Sequence, residues 1–356
     1  MPKPYITALI DTYNQGRFVE EAIESVLAQD FPMNEVEIIV VDDGSTDDTP
    51  ARIRRFAGRI RYIRKPNGGQ ASALNAGFAA AQGQIIAFLD GDDTWRANKL
   101  TRVAAAFEAS PRAILCYHPM TFIDERTGRV LPHSGFDAIS GDVLSSINCA
   151  LRYGNISTSS MALRRRLAAP LFPIPADMRI YADSYLAYSA IFLDPVVALT
   201  EALTHYRIHD ANLASGAHNS AAKLTERLRS FQSALLAINR FLAERNITVT
   251  LPGAAFLKRQ ELVAAMLAHT CRAPSRAAYA SYWREFNQLY APLWNPPYRA
   301  FRALVPVLAA VLGYSGFESL QKAYAKSSLP ELRERWLASR DKTIGRSWPK
   351  QQHAAF

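Results

Sequence analysis

The feature that most constrains this chain is a rhythm in its first 120 residues: short apolar runs alternate with segments of helical spacing. YITALI (5–10), VEIIVV (36–41), IRYIR (60–64), QIIAFL (84–89) and AILCYH (113–118) read as strands. Between them the pattern predicts a helix over GRFVEEAIESVLAQ, with Phe18, Ala22, Val26 and Leu27 at helical spacing. Further helices are expected from about Thr46, over 70–82 and from about Arg96. Runs that are apolar throughout imply strands covered on both faces, hence an α/β, Rossmann-like, mostly parallel sheet flanked by helices. Such sheets bind ligands beyond the carboxyl ends of their strands. That rule puts Asp11–Tyr13, Asp42–Asp43 and Asp90–Asp93 on one rim.

Those acids stand out in a chain of net charge +9. Carboxylates this close repel one another unless a cation sits between them. Turn and cap chemistry is the plainer reading of Asp. In VEIIVVDDGSTDDT, however, two acids precede the Gly44 turn where capping needs one. A carboxylate there can accept a hydrogen bond from a nucleobase imide or a ribose hydroxyl. In PNGGQASALNAG, Gly68 and Gly69 permit close backbone approach at a helix start, where free N–H groups favour phosphate. Asn75 and Gly77 are poor helix formers; tight helix packing is the alternative reading of Gly77.

With 356 residues, 49% of them hydrophobic and 21% charged, the chain can bury a large core and is not a disordered one. Its three cysteines are too scattered for a disulfide framework or a CxxC zinc site, which predicts a reducing compartment. The apolar run at the N-terminus is too short for a signal peptide. ALVPVLAAVLGY (303–314) falls below the roughly 20 residues that span a bilayer. It is expected as a core helix, with interfacial membrane contact as the alternative. The basic residues form no nucleic-acid reading module. The Arg164–Arg166 run reads first as a solvated face, then as a site for anionic head groups or a phosphorylated substrate. Beyond residue 120 the sequence predicts a hairpin at Thr127–Gly128, a strand in ISTSSMALRR, a helix in MRIYADSYLAYSAIFL and a strand entering a loop in ALTHYRIHDANLAS. The expected organisation is a catalytic domain over 1–216 (halves 1–119 and 120–216), a helical accessory domain over 217–340 and a flexible tail over 341–356.

The ordered series TYN, VDDGSTDDT, NGGQASALNAG, FLDGDD resembles that of the family 2 glycosyltransferases, over about residues 5–210. The resemblance implies a GT-A nucleotide-sugar-binding fold. It also implies inverting, metal-dependent transfer of a sugar from a nucleotide-diphosphate donor, a UDP-sugar for preference, to a hydroxyl acceptor. Surface polysaccharide, lipid-linked glycan and glycoprotein synthesis all fit. By this resemblance Thr12 and Tyr13 line the nucleoside pocket, Tyr13 stacking on the base, and Asp43 reads the base. Asp90 lies near the ribose, and Asp92 holds the Mn²⁺ or Mg²⁺ that bridges the phosphates. Asn14, Asn67, Gly69, Asn75 and Gly91 complete the donor set. Asp183 resembles the base, although Ala182 stands where the family often has a further acid; Asp177 and Asp194 are the alternatives. His209 would ligate the cation or touch a phosphate, and Arg207 would neutralise the leaving group. Arg64 is either a donor contact or a strand-end charge, and Trp95 either gates the sugar pocket or packs in the core.

Hard oxygen ligands suit such a metal, which needs one or two carboxylates when substrate phosphates supply the rest. Three other readings compete. FLDGDDT also contains the Asp-x-Asp-x-Thr of haloacid-dehalogenase-type phosphatases, but on the fourth predicted strand rather than at the opening of the domain. A nucleotide-sugar-binding scaffold without catalysis is the non-enzyme alternative. A sugar nucleotidyltransferase would carry a Gly-rich, Arg-containing loop where this chain has LIDTYNQGR. The expected setting is cytoplasmic, without nucleic acid; the basic balance leaves room for peripheral association at the inner face of the plasma membrane.

Overall fold

The computed structural model describes residues 4–131, 136–154, 156–210, 212, 221–272, 274–294 and 296–326. The tail expected over 341–356 lies outside the described residues. The strands are β1 (Ile6–Thr12), β2 (Val36–Asp42), β3 (Arg61–Arg64), β4 (Ile85–Asp90), β5 (Thr94–Trp95), β6 (Leu115–Tyr117), β7 (Met120–Asp124), β8 (Val130–Leu131), β9 (Met161–Arg164), β10 (Val196–Ala198) and β11 (Thr204–Ile208). The helices are α1 (Val19–Leu27), α2 (Thr49–Ile53), α3 (Gln70–Ala80), α4 (Lys99–Ala109), α5 (Ile147–Arg152), α6 (Arg165–Ala168), α7 (Ala182–Ala190), α8 (Ala221–Glu244), α9 (Leu251–Cys271), α10 (Arg276–Tyr290), α11 (Pro296–Ala303) and α12 (Val305–Lys326).

A seven-stranded sheet has the order β10-β6-β9-β4-β1-β2-β3. Strands β1 to β4 run parallel, as the apolar runs predict, with β1 between β4 and β2. Alternate residues of β1 serve opposite faces. Ile6, Ala8 and Ile10 join the core formed with Val19, Ile23 and Val26 of α1 and Leu100, Val103 and Phe107 of α4. Leu9 faces α3, and a Cβ at Gly77 would come within 2.1 Å of its Cδ1. Close packing is therefore what the glycine inside that helix allows.

The ISTSSMALRR segment does supply a strand, β9, which enters antiparallel between β4 and β6. The expected hairpin is present as β7–β8, and together with β5 and β11 it forms a second sheet of order β5-β11-β7-β8. The arginine run is not a solvated face throughout. Arg164 donates to the Phe107 carbonyl and Arg165 lies over the Phe78 ring.

The chain divides into two compact units, to Ala254 and from Ala255. α8 belongs to the first because it packs on α7, with Tyr181 edge-on to Phe231 and Tyr185 edge-on to Phe241. In the second unit Tyr279, Tyr282 and Trp283 of α10 pack against Val305, Ala309 and Phe317 of α12. The 303–314 run is thus only half a core helix: Leu304, Val307, Leu308, Val311 and Leu312 are exposed. No helix among the described residues is long and apolar enough to cross a membrane.

Candidate active site

The carboxyl ends of β1, β2 and β4 bring the acids together. Asp11 lies within β1, not after it, and its Cα partner on β4 is Asp90. The Gly91 N–H donates to the Asp11 carbonyl, which draws the turn after β4 against β1. Gly91 has no room for a side chain, since a Cβ would meet Gln15 and Thr12 at 2.6–2.8 Å.

Asp90 is held by its neighbours. The Ser159 hydroxyl accepts from its backbone N–H (3.0 Å) and faces its carboxylate (3.3 Å). Gln70 Nε2 donates to the same carboxylate (3.3 Å) and to Thr158 Oγ1 (2.9 Å). Burial, then Asp92 and then Asp183 push the Asp90 carboxyl well above the usual range. Asp11 is raised strongly by burial first and by Asp90 and Asp92 next, and its Oδ1 is buried without a hydrogen-bond partner. Burial and mutual repulsion thus drive the Asp11 and Asp90 carboxyls toward their protonated forms.

Asp92 and His209 meet across 117 positions of sequence, with Nε2 3.1 Å from Oδ2. The His209 N–H donates to Asn212 Oδ1 (2.6 Å), and its ring packs on Phe18. Oxygen-rich carboxylates, an orphaned Asp11 oxygen and one imidazole make a donor set that fits a hard divalent cation. Among the described residues no three His, Cys, Asp or Glu groups converge closely enough to hold a metal alone. Donor phosphates would have to complete the shell.

Asp183 sits in the first turn of α7, after Tyr181 in the left-handed region (φ 65°). Its carboxylate accepts from the Ser184 N–H (2.6 Å) and from the Thr158 N–H. The Thr158–Ser159 turn thus links Asp183 to Asp90. Burial raises the Asp183 carboxyl to about 6 against these stabilising hydrogen bonds. Of the alternative bases, Asp177 is exposed and Asp194 faces Arg112 at 3.8 Å.

Other predicted site residues have definite partners. Asp43 is buried and accepts from Gly68 N–H, Gly69 N–H (2.6 Å) and Lys65 Nζ (2.6 Å). Gln70 N–H and Ala71 N–H donate to the carbonyls of Arg179 and Met178. The free N–H groups expected at the start of α3 are therefore engaged, because a carboxylate and a crossing segment already cap it. That segment also absorbs the rest of the motif. Asn67 accepts from Arg179, Asn75 exchanges two hydrogen bonds with the Ile174 backbone (2.7 and 2.8 Å), and Gly69 (φ 83°) lies against Arg179.

On the first loop Thr12 Oγ1 donates to Gln15 Oε1, and Tyr13 is 46% exposed. Asn14 (φ 53°) ties the loop to Thr46, whose N–H donates to Asn14 Oδ1 (2.8 Å). Arg207 pairs with Glu21 and lies over Phe18, and its backbone N–H donates to buried Asp93. Arg64 caps the Ser45 carbonyl and approaches Asp42, the strand-end role. Trp95 is a core residue, with the buried Lys99 Nζ 4.2 Å from its ring centroid. Sequence reasoning missed Gln70, which lies inside the NGGQ motif, and Thr158 and Ser159, which no motif flags; the pairing of Asp11 with Asp90 needs the sheet order.

The family model described as glycosyl transferase family 2 matches residues 7–171. An uncharacterized glycosyltransferase of Nostoc sp. is 36% identical over 247 residues, covering 67% of this chain and 74% of that protein. An uncharacterized protein of Mycobacterium tuberculosis is 30% identical over 224 residues, 60% of this chain and 62% of that one, so the match spans less than two thirds of it. Among solved structures, S. aureus TarS 1–349 in complex with UDP-GlcNAc superposes with a TM-score of 0.60 at 18% identity, covering 90% of this chain and 91% of that chain. The mannosyltransferase PcManGT of Pyrobaculum calidifontis, in complex with GDP-Man and Mn²⁺, gives 0.53 at 19% identity, covering 91% and 88%. At these identities the two structures show the fold alone, which is the GT-A fold.

Proposed function

The chain belongs to glycosyl transferase family 2, and on that premise we propose that it moves a sugar, with inversion, from a nucleotide-diphosphate donor to a hydroxyl acceptor. A UDP-sugar is the preferred donor, and the acceptor is a surface polysaccharide, a lipid-linked glycan or a glycoprotein. The observation that carries this reading is the convergence of Asp90, Asp92 and Asp183, two from the end of β4 and one from α7, with Asp90 and Asp183 both raised above ordinary carboxylates. The solved relatives named above hold UDP-GlcNAc in one case and GDP-Man with Mn²⁺ in the other; these chemistries are taken over to this chain as part of the proposal.

Asp183 is the base. A carboxylate near 6 is ionised at neutral pH yet close enough to it to accept a proton efficiently. It takes the acceptor hydroxyl proton as that oxygen bonds to the anomeric carbon and the bond from that carbon to the diphosphate breaks. Asp92 and His209 would hold Mn²⁺ or Mg²⁺, with the Asp11 and Asp90 carboxyls close by. When bound, the cation neutralises charge developing on the departing diphosphate. Exposed Tyr13 offers a ring face to the base, while Thr12 and Asp43 border the nucleoside; Asp43 uses the acceptor capacity left beyond its three internal donors. Arg207 changes partner from Glu21 to contribute positive charge.

The test is a panel of UDP- and GDP-sugars incubated with the protein, with and without Mn²⁺, and read as nucleotide release. Metal-dependent release from one donor is expected. Release of inorganic phosphate from a monoester, with no nucleotide released from any sugar donor, would favour the phosphatase reading. Donor binding without turnover on any acceptor would favour the scaffold.

A further inference from the structure

The charge of this chain is unevenly placed. Residues 1–254 carry 26 Lys and Arg against 26 Asp and Glu, so they are neutral; residues 255–356 carry 15 against 6, which is 15 − 6 = +9, the whole net charge. Six of the exposed large apolar side chains among the described residues lie in the same part of the chain, against five in the longer part before it. Leu304, Val307, Leu308, Val311 and Leu312 recur at helical spacing and are each 40–62% exposed. Beyond the break at Gly313 (φ 68°), and as far as Leu320 among the side chains described, the exposed positions of α12 are Ser315, Gly316, Ser319 and Leu320, again without a charge. The opposite side of the helix packs in the aromatic core, so this apolar side faces away from that core.

Basic groups flank it. Arg284 lines one groove with Val307 and Val311. A side chain at Gly313 would come within 3.6 Å of Arg276 Nε, which places that arginine beside the break. The carboxylates of the described part of this unit are occupied away from this groove: Glu261 and Glu285 flank Lys258, and Glu318 accepts from the Tyr279 hydroxyl.

We propose that the uncharged side of α12 over 307–320, flanked by Arg276 and Arg284, docks in the interface of an anionic lipid bilayer. Branched aliphatic side chains on one side of a helix, with arginines at the phosphate level, match such an interface and do not match water. Charge selects this occupant over a second copy of the chain, because two such units would bring like charges together. α12 lies in the plane of the membrane and does not cross it, in keeping with its composition.

The test is flotation of the full chain with phosphatidylcholine vesicles, with and without about one third phosphatidylglycerol, at low and high salt. Binding is expected to the anionic vesicles alone and to weaken as salt rises. Arg276→Gln with Arg284→Gln should weaken it by about fivefold per arginine. Val307→Asp with Val311→Asp should weaken it more than about tenfold. Both pairs are at exposed positions, and unchanged melting and unchanged nucleotide binding would show that the fold persists. Equal binding to neutral vesicles, no binding to either, or flotation unaffected by both pairs would overturn the proposal. So would a dimer in solution that the valine pair dissociates, which would assign this surface to a second copy.

Discussion

Replacing Asp183 by Asn keeps the shape of the side chain and removes its charge and its capacity to take a proton. The amide oxygen can still accept from Ser184 and Thr158 N–H, so the first turn of α7 retains its hydrogen bonds. General base catalysis contributes about 10²–10⁴ in rate, so turnover is expected to fall by about a thousandfold, with donor affinity changed by less than about threefold. The effect on stability has the opposite sign. The folded carboxyl stands at about 6 against 3.8 for the free side chain, so the native state binds this proton more tightly than the unfolded chain does. The resulting stabilisation is fully present below about pH 4 and is lost as pH rises through about 6. At pH 7.5 the ionised group therefore costs stability, by at most about 3 kcal/mol. The variant should melt roughly 2–6 °C higher than wild type at pH 7.5, with the difference vanishing near pH 4. Nucleotide release under saturating donor and thermal melting at the two pH values check both halves. Turnover within about threefold of wild type would refute Asp183 as the base, and a large fall in melting temperature at pH 7.5 would refute the burial argument.

Further outcomes follow from the same geometry. Wild-type turnover at saturating donor should rise with pH and level off just above pH 6, since the base must be unprotonated; a profile flat down to pH 4.5 would exclude a group at about 6. Gly77→Ala sets a methyl against Leu9 in the rigid centre of the sheet and should lower stability by about 1–3 kcal/mol, measured as a shift in the urea midpoint at constant slope. Asn75→Ala removes both bonds to Ile174 and should cost about 2 kcal/mol. It should also slow turnover, because the freed segment leads directly into α7, a link that an unchanged rate in the folded variant would disprove.

The sequence shows the parallel half of the sheet and the acids on its rim because both are local: an unbroken apolar run needs cover on two faces, and the residue after it lands on an edge. What it conceals is long-range. Nothing near Asp11 says that β4 will lie beside it and set Asp90 opposite, and nothing in STSS says that β9 will run antiparallel and carry Thr158 and Ser159 between two carboxylates. The NGGQASALNAG stretch shows the same limit. Its glycines do mark a close approach, but the approaching group is the chain at Arg179, which takes the N–H groups that local reasoning leaves free. The apolar run at 303–314 carries helical periodicity, yet only packing on α10 decides which half of it is left facing outward.

The claim on which the rest depends is that the rim carboxylates grip a nucleoside diphosphate through a divalent cation. Calorimetric titration of UDP into the protein, with Mn²⁺ and with chelator, and repeated on Asp92→Asn, tests it most directly. The account predicts binding that needs Mn²⁺ and is weakened at least about tenfold by the substitution. UDP binding of equal strength in chelator and in the Asp92 variant would contradict it.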